Sequence, residues 1–91
     1  MLDIAVCDDE AAIRKQLSEL ASLEEDVGTI DEFSTAEELL ASGKHFQLVF
    51  LDILMPGIDG VEAERELRAQ DKAECIVFVT GVKEYVFDAF D

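Results

Sequence analysis

The 91 residues carry 22 acidic side chains against 7 basic ones, a formal charge of −15 at pH 7, while 49% of them are apolar. The apolar share supports one folded domain and excludes a disordered acidic tail. The charge argues against DNA, RNA or an anionic membrane as a direct partner of this segment, because phosphate contacts need Lys and Arg; it favours basic partner surfaces, a divalent cation, or simply solubility.

Met1-Leu2-Asp3 leads straight into an apolar run, with an acid where a signal peptide would be basic. No apolar run approaches the roughly 20 residues needed to span a bilayer. Cys7 and Cys75 are too few for a disulfide scaffold, so the expected setting is a reduced cytoplasm.

Along the chain, strand-like and helix-like patterns alternate. Leu2 to Cys7 reads as a buried strand. Glu10 to about Leu23 reads as a helix, with Ile13, Leu17, Leu20 and Ala21 on one face. Thr29 to Phe33 is a weaker strand. Ser34 or Thr35 can cap a second helix, Glu37 and Glu38 suit its dipole, and Gly43 stops it. Leu48 to Leu51 is a short apolar strand. Met55 to Gly60 contains Pro56, Gly57 and Gly60, which mark a tight loop. Val61 to about Gln70 is a third helix with Leu67 inward. Cys75 to Val79 is a fourth strand, and Val82 to Phe90 begins a fourth helix. The order βαβαβαβα implies parallel pairing with right-handed crossovers.

Asp8 and Asp9 follow the first strand, and Asp52 follows the third. In an open parallel sheet the carboxyl ends of neighbouring strands share one edge, where ligands bind. Three carboxylates gathered there repel one another, and a cation is the simplest reason to gather them. Either of the first two could instead cap the first helix, but with Asp52 and the proline loop in register the metal site is the stronger reading. Asp59 reads as a turn or N-cap residue before the third helix. Cys7 reads as a small core residue, His45 as a solvated loop residue, and Glu24-Glu25-Asp26 as a solvated helix end.

Cys7-Asp8-Asp9-Glu10, Asp52-Ile53-Leu54-Met55-Pro56-Gly57-Ile58-Asp59-Gly60 and Thr80-Gly81 together resemble the receiver domain of two-component response regulators. The resemblance covers all 91 residues, as a receiver domain shortened at its C-terminus. Tyr85-Val86-Phe87-Asp88-Ala89-Phe90 resembles receivers that precede a LytTR-type DNA-binding domain. The implied fold is flavodoxin-like, a doubly wound parallel sheet of order 2-1-3-4, without the family's fifth strand and last helix. The resemblance implies that Asp52 is the phosphoacceptor for a sensor histidine kinase and that the domain regulates an output, transcription. It implies that Asp8, Asp9, Asp52 and the Leu54 backbone carbonyl hold Mg²⁺, and that Thr80 is the switch hydroxyl contacting the phosphoryl group. Such a domain catalyses only its own phosphorylation and dephosphorylation.

Receivers also carry a phosphoryl-contacting lysine after the fifth strand. Arg14, Lys15 and Lys83 do not substitute for it. With no fifth strand, the fourth strand and fourth helix are expected to present a surface for self-association. Two other functions compete: a receiver-like interaction module that does not use phosphate, and a Mg²⁺-dependent phosphatase or nuclease domain. The last usually wants an Asp-x-Asp motif, and none follows any strand.

Overall fold

The structure is a computed structural model describing residues 1–53 and 57–79. Its elements run β1 (Leu2–Cys7), α1 (Ala11–Ala21), β2 (Val27–Phe33), α2 (Ala36–Ala41), β3 (Phe46–Asp52), α3 (Gly60–Ala69) and β4 (Ala73–Val79). The four strands form one sheet of order β2-β1-β3-β4, and every neighbouring pair is parallel. This is the expected α/β architecture and strand order. The expected fourth helix lies outside the described residues.

The central strands β1 and β3 are largely apolar on both faces because both faces are covered. Alternation along β1 sends Ala5 and Cys7 into one core cluster and Ile4 and Val6 into the other. Likewise Val49 and Leu51 of β3 point to the first cluster, whereas Leu48 and Phe50 pack against the second. The first cluster also holds Leu39 of α2 and Ala63 and Leu67 of α3. Leu17 and Ala21 of α1 belong to the second. The strand order accounts for this split. The β1-to-β2 step runs one way across the sheet and the next two steps run the other way, so right-handed crossovers put α1 on one face and α2 and α3 on the opposite face.

Local chemistry sets the helix ends. The Thr35 hydroxyl accepts from the Glu38 N–H at 3.1 Å and caps α2. The Asp59 carboxylate accepts from the Glu62 N–H at 2.9 Å and caps α3, as expected. Gly43, past the end of α2, has a φ of +68°, the left-handed geometry of a helix stop.

The first helix is shorter than its pattern suggests. It ends at Ala21, and the chain continues in turns, with the Leu23 N–H bonded to the Leu20 carbonyl at 3.2 Å and the Glu24 N–H to the Ala21 carbonyl at 3.1 Å. Extending it would add Glu24, Glu25 and Asp26 to its negative end, where the dipole disfavours them. Leu20, expected on the inner face, is 65% exposed. Ile13, Leu17 and Ala21 are spaced by four and form the inward stripe, and Leu20 falls beside it.

Leu67 is 1% exposed within the α2–α3 core. Its replacement by Ala should cost about 2–5 kcal/mol. Urea unfolding should show a lower midpoint with an unchanged slope; an unchanged midpoint would contradict this packing.

Candidate functional site

The pairing register builds the site. Cys7 of β1 pairs with Leu51 of β3, and Asp52 of β3 pairs with Val79 of β4. One residue beyond the Cys7–Leu51 pair, Asp8 and Asp52 stand level at the carboxyl edge of the two central strands. Both are 1% exposed. Asp9 follows in the turn and is exposed. Each of the three offers a carboxylate oxygen, and these oxygens lie within 4.8 Å of one another.

The turn that carries Asp8 and Asp9 is tied to its surroundings. The Asp8 N–H donates to the Phe33 carbonyl at 3.1 Å, extending the β1–β2 ladder by one residue. Asp8 Oδ1 accepts the Glu10 N–H at 2.9 Å. Its second oxygen, Oδ2, is buried with no hydrogen-bond partner among the described residues. Burial pushes the Asp8 carboxyl above the ordinary carboxylate range; the Glu10 N–H pulls it back down, while the charges of Asp9 and Glu10 push it up further. The alternative reading, that one of the first two aspartates caps α1, takes a modified form. The residue before the helix is Glu10, with no side-chain cap, and Asp8 bonds the Glu10 N–H in the turn before it.

On the β3 side, the Ile53 N–H donates to the Val79 carbonyl at 3.3 Å and the Gly60 N–H to the Ile53 carbonyl at 3.0 Å. Gly60 begins α3 directly against the strand end. A Cβ there would collide with the Asp52 carbonyl oxygen and lie 2.7 Å from Ile53 Cα. The glycine is thus required by close approach, which lets α3 start beside the end of β3. Gly57 has a φ of +80°, so the loop also needs a residue without a Cβ there.

Cys7 lies in the core beneath the acids, 1% exposed. Its thiol is pushed up to about 12, first by burial and then by the negative charges of Asp8, Asp52 and Glu38, with Arg14 opposing. It therefore stays protonated near neutral pH, as suits a small core residue. His45 is remote from the acids, in the connection before β3, with Nε2 3.9 Å from Glu74 Oε2. Leu54, Pro56 and Thr80, assigned by resemblance or motif, lie outside the described residues.

The three acids fit a hard divalent cation. All donors are oxygen, Asp8 Oδ2 is buried with no hydrogen-bond partner among the described residues, and Mg²⁺ binds through few carboxylates while keeping several waters.

Residues 4–91 match the family described as the response regulator receiver domain. The chain belongs to the response regulator receiver family. It is 40% identical over 83 residues to the transcriptional regulatory protein ResD of Bacillus subtilis, covering 89% of this chain and 33% of that protein. It is 31% identical over 94 residues to the sensory transduction protein LytT of Oceanobacillus iheyensis, covering 99% and 38%. Among solved structures it resembles the response regulator TrrA of Thermotoga maritima in complex with Mg²⁺ and a beryllium fluoride, with a TM-score of 0.78 and 38% identity over 97% of this chain and 76% of that one. The chain spans about a third of the length of these curated relatives, 33% and 38%. No helix among the described residues is long and apolar enough to cross a membrane.

The site makes a pH-dependent prediction. The raised Asp8 carboxyl holds its proton more tightly folded than unfolded. Its contribution to stability is present below the ordinary carboxylate range and is lost as pH rises through the folded value. Without divalent ions at neutral pH, Asp8→Asn should therefore raise Tm, and the gain should shrink as pH falls. The wild type should gain about 1.4 kcal/mol from Mg²⁺ at tenfold its Kd, and the variant should lose most of that gain. Thermal melts with and without Mg²⁺ test both; a variant destabilised at neutral pH in chelator would contradict the electrostatic account.

Proposed function

We propose that residues 1–91 act as a phosphoryl-accepting receiver domain, with Asp52 as the acceptor and a sensor histidine kinase as the donor. The observation that supports this best is the placement of Asp52, buried at the end of β3, within one oxygen cluster with Asp8 and Asp9. An Asp52 carboxylate oxygen attacks the phosphorus of a phosphohistidine. The phosphorus–nitrogen bond breaks, the imidazole leaves, and an acyl phosphate forms on Asp52. A carboxylate is a competent covalent nucleophile, and phosphoryl transfer needs mainly positioning and charge neutralisation. Asp8, Asp9, Asp52 and the Leu54 backbone carbonyl would hold a Mg²⁺ ion, which would supply that neutralisation. The mixed exposure of the cluster suits the two tasks. Asp8 and Asp52 are held rigidly in the buried edge, while Asp9 faces solvent where cation and donor arrive.

In this reading Thr80 donates its hydroxyl to the phosphoryl group and couples the site to the segment that follows. The domain is a switch whose only catalysis is on itself, in the cytoplasm. The output is transcription, through a DNA-binding domain in the parent protein, with no direct nucleic-acid or membrane contact by this segment. The transcriptional role of ResD, the sensory transduction role of LytT and the Mg²⁺ complex of TrrA support this reading.

Acetyl phosphate with Mg²⁺ should give a hydroxylamine-labile label on the intact protein. Asp52→Ala should abolish it, and chelation should suppress it. Labelling that survives Asp52→Ala would refute the assignment of the acceptor.

Self-association belongs to the same proposal. Strand β4 is the outermost described strand on its side of the sheet, and Val77 and Phe78 on it are 40% and 39% exposed. A strand edge with exposed apolar side chains pairs readily with another chain. Light scattering on these 91 residues should show species larger than a monomer as concentration rises. A monodisperse monomer throughout would refute it.

A further inference from the structure

We propose that Arg14 is a positioning residue for the acid cluster, acting through the Asp8–Asp9 peptide rather than on any reacting group. The inference rests on the reading of the cluster as a Mg²⁺ site. Arg14 is the fourth residue of α1, and its side chain is only 19% exposed. Its Nη1 donates to the Asp8 carbonyl oxygen at 2.7 Å. Its Nε lies 3.6 Å from Glu32 Oε1 on β2. One planar guanidinium thus spans two acceptors on different elements, which a lysine ammonium on its flexible stem does not reproduce.

The target explains the role. The Asp8 carbonyl belongs to the peptide plane that joins Asp8 to Asp9, so fixing that oxygen fixes the directions in which both residues leave the plane. The other side of Asp8 is already held, by the Asp8 N–H to Phe33 and by Oδ1 on the Glu10 N–H. Arg14 supplies a further tether, one that bears on Asp9, whose side chain is exposed and so not restrained by burial. A half-exposed pair such as Arg14–Glu32 contributes little stability by itself. Its consequence here is to hold the guanidinium over the turn. Groups that orient metal ligands change metal affinity by about 10–100-fold when removed.

The test is Mg²⁺ titration of the intact protein by calorimetry, without phosphodonor. Arg14→Ala should weaken Mg²⁺ binding about tenfold. Arg14→Lys should recover little of the loss. Glu32→Gln should weaken binding in the same direction by less, and should add nothing in an Arg14→Ala background, because both remove one tether. With acetyl phosphate, Arg14→Ala should slow labelling at low Mg²⁺ and approach the wild-type rate at saturation. A Mg²⁺ affinity within twofold of wild type in Arg14→Ala overturns the proposal, as does full rescue by Lys, or a rate loss that persists at saturating Mg²⁺. Should Arg14→Ala fail to fold, an unchanged affinity in Glu32→Gln overturns it. A wild type that binds no Mg²⁺ overturns the metal reading as well, whereas normal wild-type binding with unaffected variants overturns the role of Arg14 alone.

Discussion

Two carboxylates buried side by side at the edge of a parallel sheet are the constraint on which the rest of this structure depends. Asp8 and Asp52 are each 1% exposed, and with Asp9 they bring three carboxylate oxygens within 4.8 Å. Burying a charge is costly unless something compensates it, and like charges at this spacing add to the cost. The protein offsets part of that cost locally, with the Glu10 N–H on Asp8 Oδ1, and leaves Oδ2 without a hydrogen bond among the described residues. A group left in that state favours either a proton or a cation. The same electrostatics that sets the acids against one another is therefore the driving force for binding a cation.

Holding such a site together requires a scaffold that does not relax. The two apolar clusters on either side of β1 and β3 provide it, because alternate residues of both strands are anchored in opposite layers. A slip of one residue between β1 and β3 would exchange the two layers and separate Asp8 from Asp52. The acids are thus held in register by the same side chains that make the core. The close start of α3 at Gly60 adds a second restraint, since the helix begins against the Asp52 backbone.

Much of this was legible in the chain. Strand and helix periods are properties of local sequence, so the elements and their order were readable, and Asp8, Asp9 and Asp52 could be placed on one edge from parallel topology alone. Asp59 was readable as a turn or cap residue because an Asp at a helix start can accept a free N–H of the first turn. Element ends were less legible. Strand β3 extends from Phe46 through Asp52, beyond the apolar run Leu48 to Leu51, because strand length is set by neighbours in the ladder rather than by apolarity. Asp71, with a φ of +55°, turns the chain after α3 in a geometry that glycine usually supplies, and nothing local marks it. Arg14 was readable only as a charge on the first helix. Its partners are a main-chain oxygen six residues before it and Glu32 on another strand, and neither leaves a mark in the local pattern.

The position of Cys7 shows how far the field of the acids extends. The thiol sits below them in the core and titrates only near 12, through burial first and then the neighbouring negative charges. A thiolate there would be a competing ligand and a target for oxidation, and burial suppresses it with the acids adding to the effect. Charge at the sheet edge thus selects the chemistry of the site as well as its ligand. It favours hard, oxygen-seeking cations and adds to the burial that keeps the thiol protonated.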